Sequence, residues 1–436
     1  EFFRYTALSV LGTLGVSCYI LADTFFVSKG LGANGLTALN LAIPVYNFIH
    51  GTGLMLGMGG ATRFCVCKSR QRREKVNQIY TNTLYLGALF SAVFVLIGLF
   101  FGVRLSLLLG ADKNVLDMTA TYLKWLLLFS PAFILNDILL CFVRNDDNPR
   151  LAMTAMIIGS FSNIILDYIF IFPMKMGIFG AIFATGLSPI ISIISMLSHW
   201  IKRKNTFHVC RTKVKTHIVR QELALGFPSL IAQLSSGIVM ITFNAIILKL
   251  EGNTGVAAYG VIANISLVVV AIYTGIAQGV QPLISHFYGK SIDRQVRTLM
   301  RYSVQTMLVI SLFIYIIVFA FAQPIASVFN SENNLELQQI AVTGLKIYFT
   351  SSAFVGYNII LAIFFTSVEI ALPAHILSVL RGLVLIIPMA FLLSAIGGMM
   401  GIWLTYPITE ALVAVLGYVI YKCYQNKKKG KNDDKD

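Results

Sequence analysis

Long apolar stretches, separated by short polar segments, follow one another along almost the whole chain. Each is about 20 residues or longer, which lets a helix cross the ~30 Å hydrocarbon core of a bilayer. The strict apolar–polar alternation of a membrane β-barrel strand is absent from the sequence. The pattern therefore predicts an all-α polytopic membrane protein with twelve transmembrane helices. We place these helices at about 5–27, 37–66, 77–102, 118–143, 151–172, 179–200, 221–248, 256–284, 299–322, 338–366, 375–396 and 401–421.

The composition supports a membrane protein and argues against a soluble enzyme. Apolar residues make up 57% of the 436 residues, charged residues only 12%, and the mean hydropathy is +0.77. A typical soluble domain is about 25% charged. We find no Walker loop, H-E-x-x-H or G-x-S-x-G motif in the sequence. The sequence thus predicts a transporter rather than an enzyme, with no cofactor.

The basic residues give an orientation. Of 34 Lys and Arg residues, 25 lie in every second polar segment counted from the N-terminus, and five lie in the alternate segments. By the positive-inside rule this bias places both termini in the cytoplasm of a multi-pass plasma-membrane protein. The net charge of +15 is thereby explained as a topology signal. We expect the lipid bilayer as a partner, no nucleic acid, and a monomer.

Glycine and proline positions repeat along the chain at a nearly constant offset of about 220 residues. Gly32 corresponds to Gly252, Pro149 to Pro373, and Gly180 to Gly401. Each copy holds six predicted helices, an even number, so both copies enter the membrane in the same direction. The repeat predicts two pseudo-symmetric six-helix lobes. We assign 1–200 to the N-terminal lobe, 201–220 to a basic cytoplasmic linker, 221–421 to the C-terminal lobe and 422–436 to a basic cytoplasmic tail.

Four acids fall inside predicted spans, where ionisable side chains are costly and usually functional. They are Asp23, Asp137, Asp167 and Glu410. Asp23 and Asp167 lie about four and five residues from the outer ends of outward-running helices, which places them at nearly the same depth. Polar side chains gather at that depth in the same half of the chain. These are Tyr19, Asn163 and Thr185.

Two carboxylates at one depth in a low-dielectric setting compete for a proton or another cation. Carboxylate, amide and hydroxyl oxygens are also ligands for hard cations. We therefore take Asp23, Asn163, Asp167 and Thr185 as candidates for coupling to H+ or Na+. Candidates for the substrate cavity are Tyr19, Asp23, Asp167 and Glu410. The alternative is that the two acids only hydrogen-bond to the neighbouring backbone.

Other positions suggest gates or packing. Pro44 precedes a cluster of glycines in the second span, which fits either a hinge or close helix packing. We expect Asp137, near the inner face, to pair with Arg63 or Arg144. His50 is interpreted as either protonatable or a packed neutral side chain, and Arg381 is expected to snorkel toward the interface. The repeat counterparts of Asp23 and Asp167 are Phe243 and Phe391, which predicts that only one lobe carries the acid pair.

Several motifs resemble those of the multidrug and toxic compound extrusion (MATE) family. They are YILADTFFV at 19–27, RNDDNP at 144–149, NIILDYIF at 163–170, GIFGAIFAT at 177–185, QGVQP at 278–282 and RG at 381–382. The resemblance spans the chain and implies cation-coupled efflux of organic cations from a twelve-helix, two-lobe fold. It also implies that Asp23, Asn163, Asp167 and Thr185 form the cation site beside Tyr19. Glu369 departs from the pattern, since such relatives usually have Gly there.

The sequence thus favours an H+- or Na+-coupled antiporter that exports amphiphilic organic cations or drugs by alternating access. A second hypothesis is a flippase for a lipid-linked saccharide or another amphiphile from the same wider superfamily. That function calls for a cationic cavity, whereas the embedded charges here are mainly acidic. A membrane enzyme and a channel are less well supported, because no catalytic constellation is found and two equivalent halves suit alternating access.

Overall fold

The computed structural model describes residues 1–330 and 334–433, and in these parts the chain is helical with no β-strand. Its helices are Phe2–Ser69, Arg73–Leu108, Leu116–Leu128, Ser130–Asn145, Pro149–Ile171, Gly177–Met196, Ser198–Ile201, Thr216–Gly289, Asp293–Ala320, Ala322–Phe329, Leu335–Tyr348, Ser352–Ser367, Ala371–Val379 and Ile386–Asp433. A 3-10 turn, Phe349–Ser351, and a π-helical turn, Leu380–Val384, connect four of them. The helical fold class predicted from the sequence is confirmed.

Three of these helices are hairpins of two antiparallel segments. Phe2–Ser69 has 68 residues, and a straight helix of that length would be about 100 Å long, far beyond a bilayer. Tyr19 and Tyr46 would then lie about 40 Å apart, yet their hydroxyl oxygens are 2.6 Å apart. The chain reverses at Gly32, where φ is +67°. This left-handed conformation is open to glycine at no steric cost.

The other two hairpins reverse in the same way. Gly252 has a φ of +60° within Thr216–Gly289, and Gly398 has a φ of +54° within Ile386–Asp433. The rings of Phe243 and Tyr259, on either side of Gly252, are 5.5 Å apart between centroids. The repeat of Gly32 and Gly252 in the sequence therefore marks two equivalent turns.

With the hairpins divided, the described chain crosses the membrane twelve times. Eight helical stretches are apolar and long enough to cross, and a ninth consists of two helices bent by 47° around Phe129. The spans, numbered 1 to 12, are 2–31, 33–69, Arg73–Leu108, Leu116–Asn145 with the bend, Pro149–Ile171, Gly177–Ile201, 216–251, 253–289, Asp293–Ala320, Leu335–Ser367, 371–397 and 399–433. Each predicted span falls on one of these, with ends that differ by several residues.

The buried apolar side chains form two separate cores, one in each lobe. One core takes its residues from between Val27 and Ile218, and the other from between Phe243 and Val413. Spans 1–6 form the N lobe and spans 7–12 the C lobe. Phe2 and Tyr5, at the start of span 1, pack into the C-lobe core instead of their own.

The two lobes meet on the side of the membrane that holds the start of span 1, which we call the terminal face. The opposite side is the distal face. A Cβ atom at Gly279 of span 8 would lie 2.8 Å from the carbonyl oxygen of Tyr5 in span 1. A Cβ atom at Gly226 of span 7 would lie 1.8 Å from the carbonyl oxygen of Met55 in span 2. The lobes are thus in backbone contact and closed toward the terminal face.

The segment between the lobes, predicted as a basic linker, is tied to the N lobe. Residues 202–215, which we call the linker segment, are non-helical, and span 7 begins at Thr216. Phe207 is fully buried, with its ring 4.5 Å from that of Tyr80 and 5.5 Å from that of Phe142. The backbone N–H of Cys210 donates to Thr81 Oγ1 at 3.0 Å. The segment therefore packs as part of the lobe.

Asp146 anchors the same segment. Its carboxylate, outside the spans, accepts from the backbone N–H of Thr206 at 2.8 Å, lies 2.9 Å from His199 Nε2, and accepts from Lys68 Nζ at 2.7 Å. Burial alone would raise the pKa of this acid, but the hydrogen bond to His199 and the charge of Lys68 outweigh it and lower the pKa to about 2. Asp146 therefore carries a full charge at neutral pH.

Candidate functional site

The candidate site lies in the distal half of the N lobe, between spans 1, 4, 5 and 6. Span 5 begins where the Asn148 side chain accepts from the backbone N–H of Leu151 at 3.3 Å, with Pro149 at the first helical position. From that start, Asn163 and Asp167 fall one turn apart on the same face of the helix. Asp167 is fully buried and faces Asp23 of span 1, which is 8% exposed.

The side chains predicted as a coupling site are brought together. The carboxyl groups of Asp23 and Asp167 are close enough to interact directly. The Asn163 amide lies between Asp167 and Thr185. With its nitrogen toward the acid, it donates to Asp167 Oδ2 at 2.9 Å and accepts from the backbone N–H of Thr185 at 3.3 Å. Asn163 and Thr185 are both buried.

The two acids have no basic partner. Within the described parts of the chain, neither Asp23 nor Asp167 forms an ion pair with Lys, Arg or His. The Oδ1 atom of each is buried without a hydrogen-bond partner. Two adjacent buried carboxylates cannot both stay charged at low cost unless a cation joins them. A proton or another cation between the two acids would remove this cost.

Tyr122 belongs to the same cluster, although it is not among the site residues predicted from the sequence. Its side chain, on span 4, is 3% exposed and its hydroxyl lies against Thr185 and near both acids. Tyr122 is the seventh residue from the distal end of span 4, a depth similar to that of Thr185 in span 6. A comparison of residue depth in all six helices of the N lobe would have placed Tyr122 in the predicted site.

Tyr19 lies on the terminal side of the two acids, one helical turn from Asp23. Its hydroxyl is 2.6 Å from that of Tyr46 on span 2. The Tyr46 ring stacks on the imidazole of His50, with 5.9 Å between the ring centroids and an interplanar angle of 16°. Pro44, predicted as a gate or hinge, lies inside span 2; within Phe2–Ser69 the non-helical backbone angles are at Gly32, the turn between spans 1 and 2.

Asp137 has a different partner from the one expected. Its Oδ2 lies 2.8 Å from His50 Nδ1, and its side chain is 5% exposed. The predicted pairing with Arg63 or Arg144 is wrong. Arg63 pairs with Glu369 of the C lobe, and Arg144 donates to Gln278 of span 8 at 2.8 Å. Depth alone could not separate these partners, because it does not determine which way each side chain faces around its helix.

Glu410, a candidate for the substrate cavity, is buried and already paired. Its Oε1 accepts from the Arg381 guanidinium at 2.8 Å, and its Oε2 accepts from Asn358 Nδ2 at 2.7 Å. Arg381 therefore reaches inward to an acid and does not snorkel to the interface as expected. The C lobe offers no equivalent of the acid pair at the repeat positions, since Phe243 is buried among aromatic rings and Phe391 is 57% exposed.

Glu222 is a further buried acid, beyond the four predicted from the sequence. It is fully buried at the start of span 7, and within the part of the chain that the structure describes neither carboxylate oxygen has a hydrogen-bond partner. A Cβ atom at Gly59 of span 2 would lie 2.0 Å from the carbonyl oxygen of Glu222, which places this acid at the lobe interface. Glu222 is the second residue of the predicted span 221–248, and an acid so close to the end of a predicted helix was not counted as embedded.

Comparisons with known proteins show the family. The MatE family model matches residues 9–169 and 228–392, one match in each lobe. The chain therefore belongs to the MatE family of membrane transporters, which confirms the resemblance found in the motifs and the prediction that it is not an enzyme.

Individual relatives agree with this assignment. Multidrug export protein MepA of Staphylococcus saprophyticus is 24% identical over 96% of this chain and 92% of that protein. MepA of Staphylococcus aureus is 24% identical over 94% of this chain and 90% of that protein. An outward-facing MATE family transporter of the MOP superfamily superposes with a TM-score of 0.92 at 22% identity, covering 98% of this chain and 96% of that one.

A second solved structure shows that one fold serves pockets of different character. It is a MOP superfamily transporter from Pyrococcus furiosus, described as having a binding pocket of reverse polarity that suggests a different function. It superposes with a TM-score of 0.90 at 23% identity, covering 97% of this chain and 95% of that one. The polarity of the site in this chain must therefore be judged from its own residues.

Proposed function

We propose that this protein is a cation-coupled antiporter that exports amphiphilic organic cations or drugs from the cytoplasm. The observation that carries the proposal is the buried, unpaired acid pair Asp23–Asp167. An intramembrane acid without a basic partner is costly unless it binds a cation during the working cycle. H+ or Na+ from outside and an organic cation from inside would compete for this site.

The asymmetry of the lobes supports coupling in the N lobe. The buried acid of the C lobe, Glu410, already has Arg381 as its counter-charge. A cation that approached Glu410 would have to displace an arginine, whereas Asp23 and Asp167 present free oxygens. An acidic site also favours an organic cation over an anionic lipid-linked saccharide, the cargo of the alternative flippase.

Alternating access would determine the direction in which the substrate and the coupling ion move. The lobes are closed toward the terminal face, so this state would exchange cations with the distal face. Separation of the lobes at the terminal face would expose the site to the cytoplasm, if the termini are cytoplasmic as the charge bias predicts. Binding of the coupling ion on one side and of the substrate on the other would then exchange the two.

Dye efflux from proteoliposomes tests this function. Vesicles loaded with ethidium, with the purified protein inserted, receive an inward H+ gradient or an inward Na+ gradient. The wild-type protein should expel the dye under at least one gradient. Asp23→Asn and Asp167→Asn should each abolish this efflux, because Asn keeps the size of the side chain and removes the charge.

Asp117→Asn is the matched control, since Asp117 is an exposed acid at the distal end of span 4. It should transport as the wild type does. Full activity in both Asp variants, with loss only in Glu410→Gln, would move the coupling site to the C lobe. Absence of dye movement under either gradient, with transport of a lipid-linked saccharide instead, would support the flippase.

A further inference from the structure

We propose that His50 and Asp137 form a second proton-binding site in the N lobe, so that two protons enter for each monovalent organic cation exported. This inference rests on the proposed antiport and adds its stoichiometry. It starts from the geometry of the pair: His50 Nδ1 and Asp137 Oδ2 are 2.8 Å apart on spans 2 and 4. A carboxylate beside an imidazole retains a proton on the ring by charge attraction.

Two glycines of span 2 make room for this pair. A Cβ atom at Gly53, one turn beyond His50, would lie 2.5 Å from Asp137 Oδ2. Any side chain at Gly53 would therefore displace the carboxylate from the helix surface. A second glycine, Gly57, makes room for the Asp137 backbone, since its Cβ atom would lie 2.9 Å from the Asp137 carbonyl oxygen. The absence of side chains here lets spans 2 and 4 bring the acid against the imidazole.

Among the described residues, no Lys or Arg forms an ion pair with either member of the pair. Arg144, the nearest arginine along span 4, points away to Gln278. The remaining titratable groups around the pair are the Cys141 thiol of span 4, Tyr46 of span 2 and, beyond it, Tyr19 of span 1. The proton on the pair therefore depends mainly on the two members themselves.

A polar path connects the pair to the acids above it. Asp23 and Tyr19 lie one helical turn apart on span 1, Tyr19 shares a 2.6 Å hydrogen bond with Tyr46, and the Tyr46 ring stacks on His50. A charge at either end thus acts on the other through partly buried polar groups. This arrangement links the charge of the second site to the occupancy of the first.

The pair also lies next to the surface that must open. A Cβ atom at Gly51 would lie 3.0 Å from Leu230 Cδ1 and 3.1 Å from Gln233 Cβ, both on span 7 of the C lobe. His50 keeps 26% of its side-chain surface exposed in the closed form. When the lobes part at the terminal face, the pair is therefore uncovered and releases its proton to that side.

The stoichiometry can be measured without a pH gradient. If two protons enter for each ethidium that leaves, one net positive charge moves inward, so a membrane potential alone drives transport. A potassium gradient with valinomycin sets about 60 mV, negative inside, in proteoliposomes with equal pH on both sides. Ethidium should then reach about a tenfold higher concentration outside, against its own electrical attraction. Exchange of one proton for one ethidium moves no net charge and gives no gradient.

The variants are His50→Gln and Asp137→Asn, with His217→Gln, an exposed histidine at the start of span 7, as the control. We expect both site variants to lose the potential-driven gradient and to retain efflux driven by a pH gradient. The control should keep both. Tyr46→Phe should weaken the potential-driven gradient without abolishing it, because the ring still packs on His50.

The outcomes that would contradict the second proton site differ from the one that would contradict the antiport. Potential-driven accumulation that persists in both site variants, or that is absent from the wild type, overturns the second proton site. Efflux of the wild type under a Na+ gradient but not under a pH gradient also overturns it and leaves the antiport in place. Absence of efflux under every gradient would contradict the antiport first.

Discussion

The Arg63 guanidinium of span 2 lies 2.5 Å from the Glu369 carboxylate, which follows span 10, and this ion pair joins the two lobes at the terminal face. The φ of Glu369 is +57°, a left-handed conformation that glycine adopts without strain and glutamate adopts at a cost. Glu369 is thus held in an unfavourable backbone conformation where its carboxylate meets the arginine of the other lobe.

We predict that Glu369→Gln loosens the closure of the lobes. Cys65 reports on it, because its side chain is 3% exposed and its Sγ lies 3.3 Å from the Pro282 carbonyl oxygen across the interface. With the other five cysteines replaced by serine, a maleimide should label Cys65 several-fold faster in the Gln variant. The exchanged pair Arg63→Glu with Glu369→Arg should restore slow labelling.

The control for this closure is Asp293→Asn, which removes an ion pair with Lys428 that lies within the C lobe. It should leave the labelling of Cys65 unchanged. Equal labelling in the wild type and in Glu369→Gln would show that the backbone contacts of Gly226 and Gly279 hold the lobes together without the ion pair.

We predict that Asp146→Asn releases the linker segment from the N lobe. The folded-state pKa of Asp146, about 2, lies below its ordinary value of about 3.9. Its stabilising effect is therefore fully present above about pH 4 and is lost as the pH falls toward 2. The shift corresponds to about 2 kcal/mol of stability at neutral pH. Trypsin should cleave between residues 202 and 215 faster in the variant.

Asp147 provides the comparison for that experiment. It also contacts Lys68, at 2.8 Å, but its side chain is 75% exposed. An exposed ion pair contributes little to stability. Asp147→Asn should leave tryptic cleavage of the linker segment nearly unchanged, and equal acceleration in both variants would contradict the anchoring role of Asp146.

We predict that Arg381→Met destabilises the C lobe strongly, because it leaves the Glu410 carboxylate buried without its counter-charge. Removal of one partner from a buried ion pair typically costs about 3–5 kcal/mol. The double variant Arg381→Met with Glu410→Gln should recover most of this loss. Thermal unfolding in detergent measures both. A single variant as stable as the double one would show that Asn358 alone satisfies the carboxylate.

We predict that the terminal face is cytoplasmic. A reporter fused after residue 210 should be on the cytoplasmic side, and one inserted near residue 175, between spans 5 and 6, should be external. The reason is the seven basic residues at 202–220 against one, Lys175, in the shorter segment. A second external position suggested by the sequence, near 332, lies outside the described residues. Reporters found on one side would contradict the predicted topology.

The sequence was sufficient for the features that depend on depth along a helix. Hydropathy gave the twelve spans, and the distance of Asp23 and Asp167 from the helix ends brought the acids to one level. The orientation of each side chain around its helix is a tertiary property. For that reason His50, at a depth near Asp137, was not recognised as its partner, and Arg381 was expected at the interface.

The course of the polar segments was also beyond the sequence. A basic composition at 201–220 predicts a basic cytoplasmic linker, and most of its positive side chains are exposed. The packing of Phe207 and the anchoring by Asp146 depend on groups more than fifty residues apart in sequence. Glu222 escaped notice for a related reason, since its burial comes from the approach of span 2 in the other lobe.

The turns at Gly32 and Gly252 have nearly the same backbone angles, with φ and ψ of 67° and −160° in one and 60° and −152° in the other. Such agreement is expected of a gene duplication in which both products kept their backbone. Because the duplicated unit has six spans, each copy inserts in the same orientation without any change in its own charges. The two copies nonetheless differ at the acid positions, since Phe243 and Phe391 stand in the second half where Asp23 and Asp167 stand in the first.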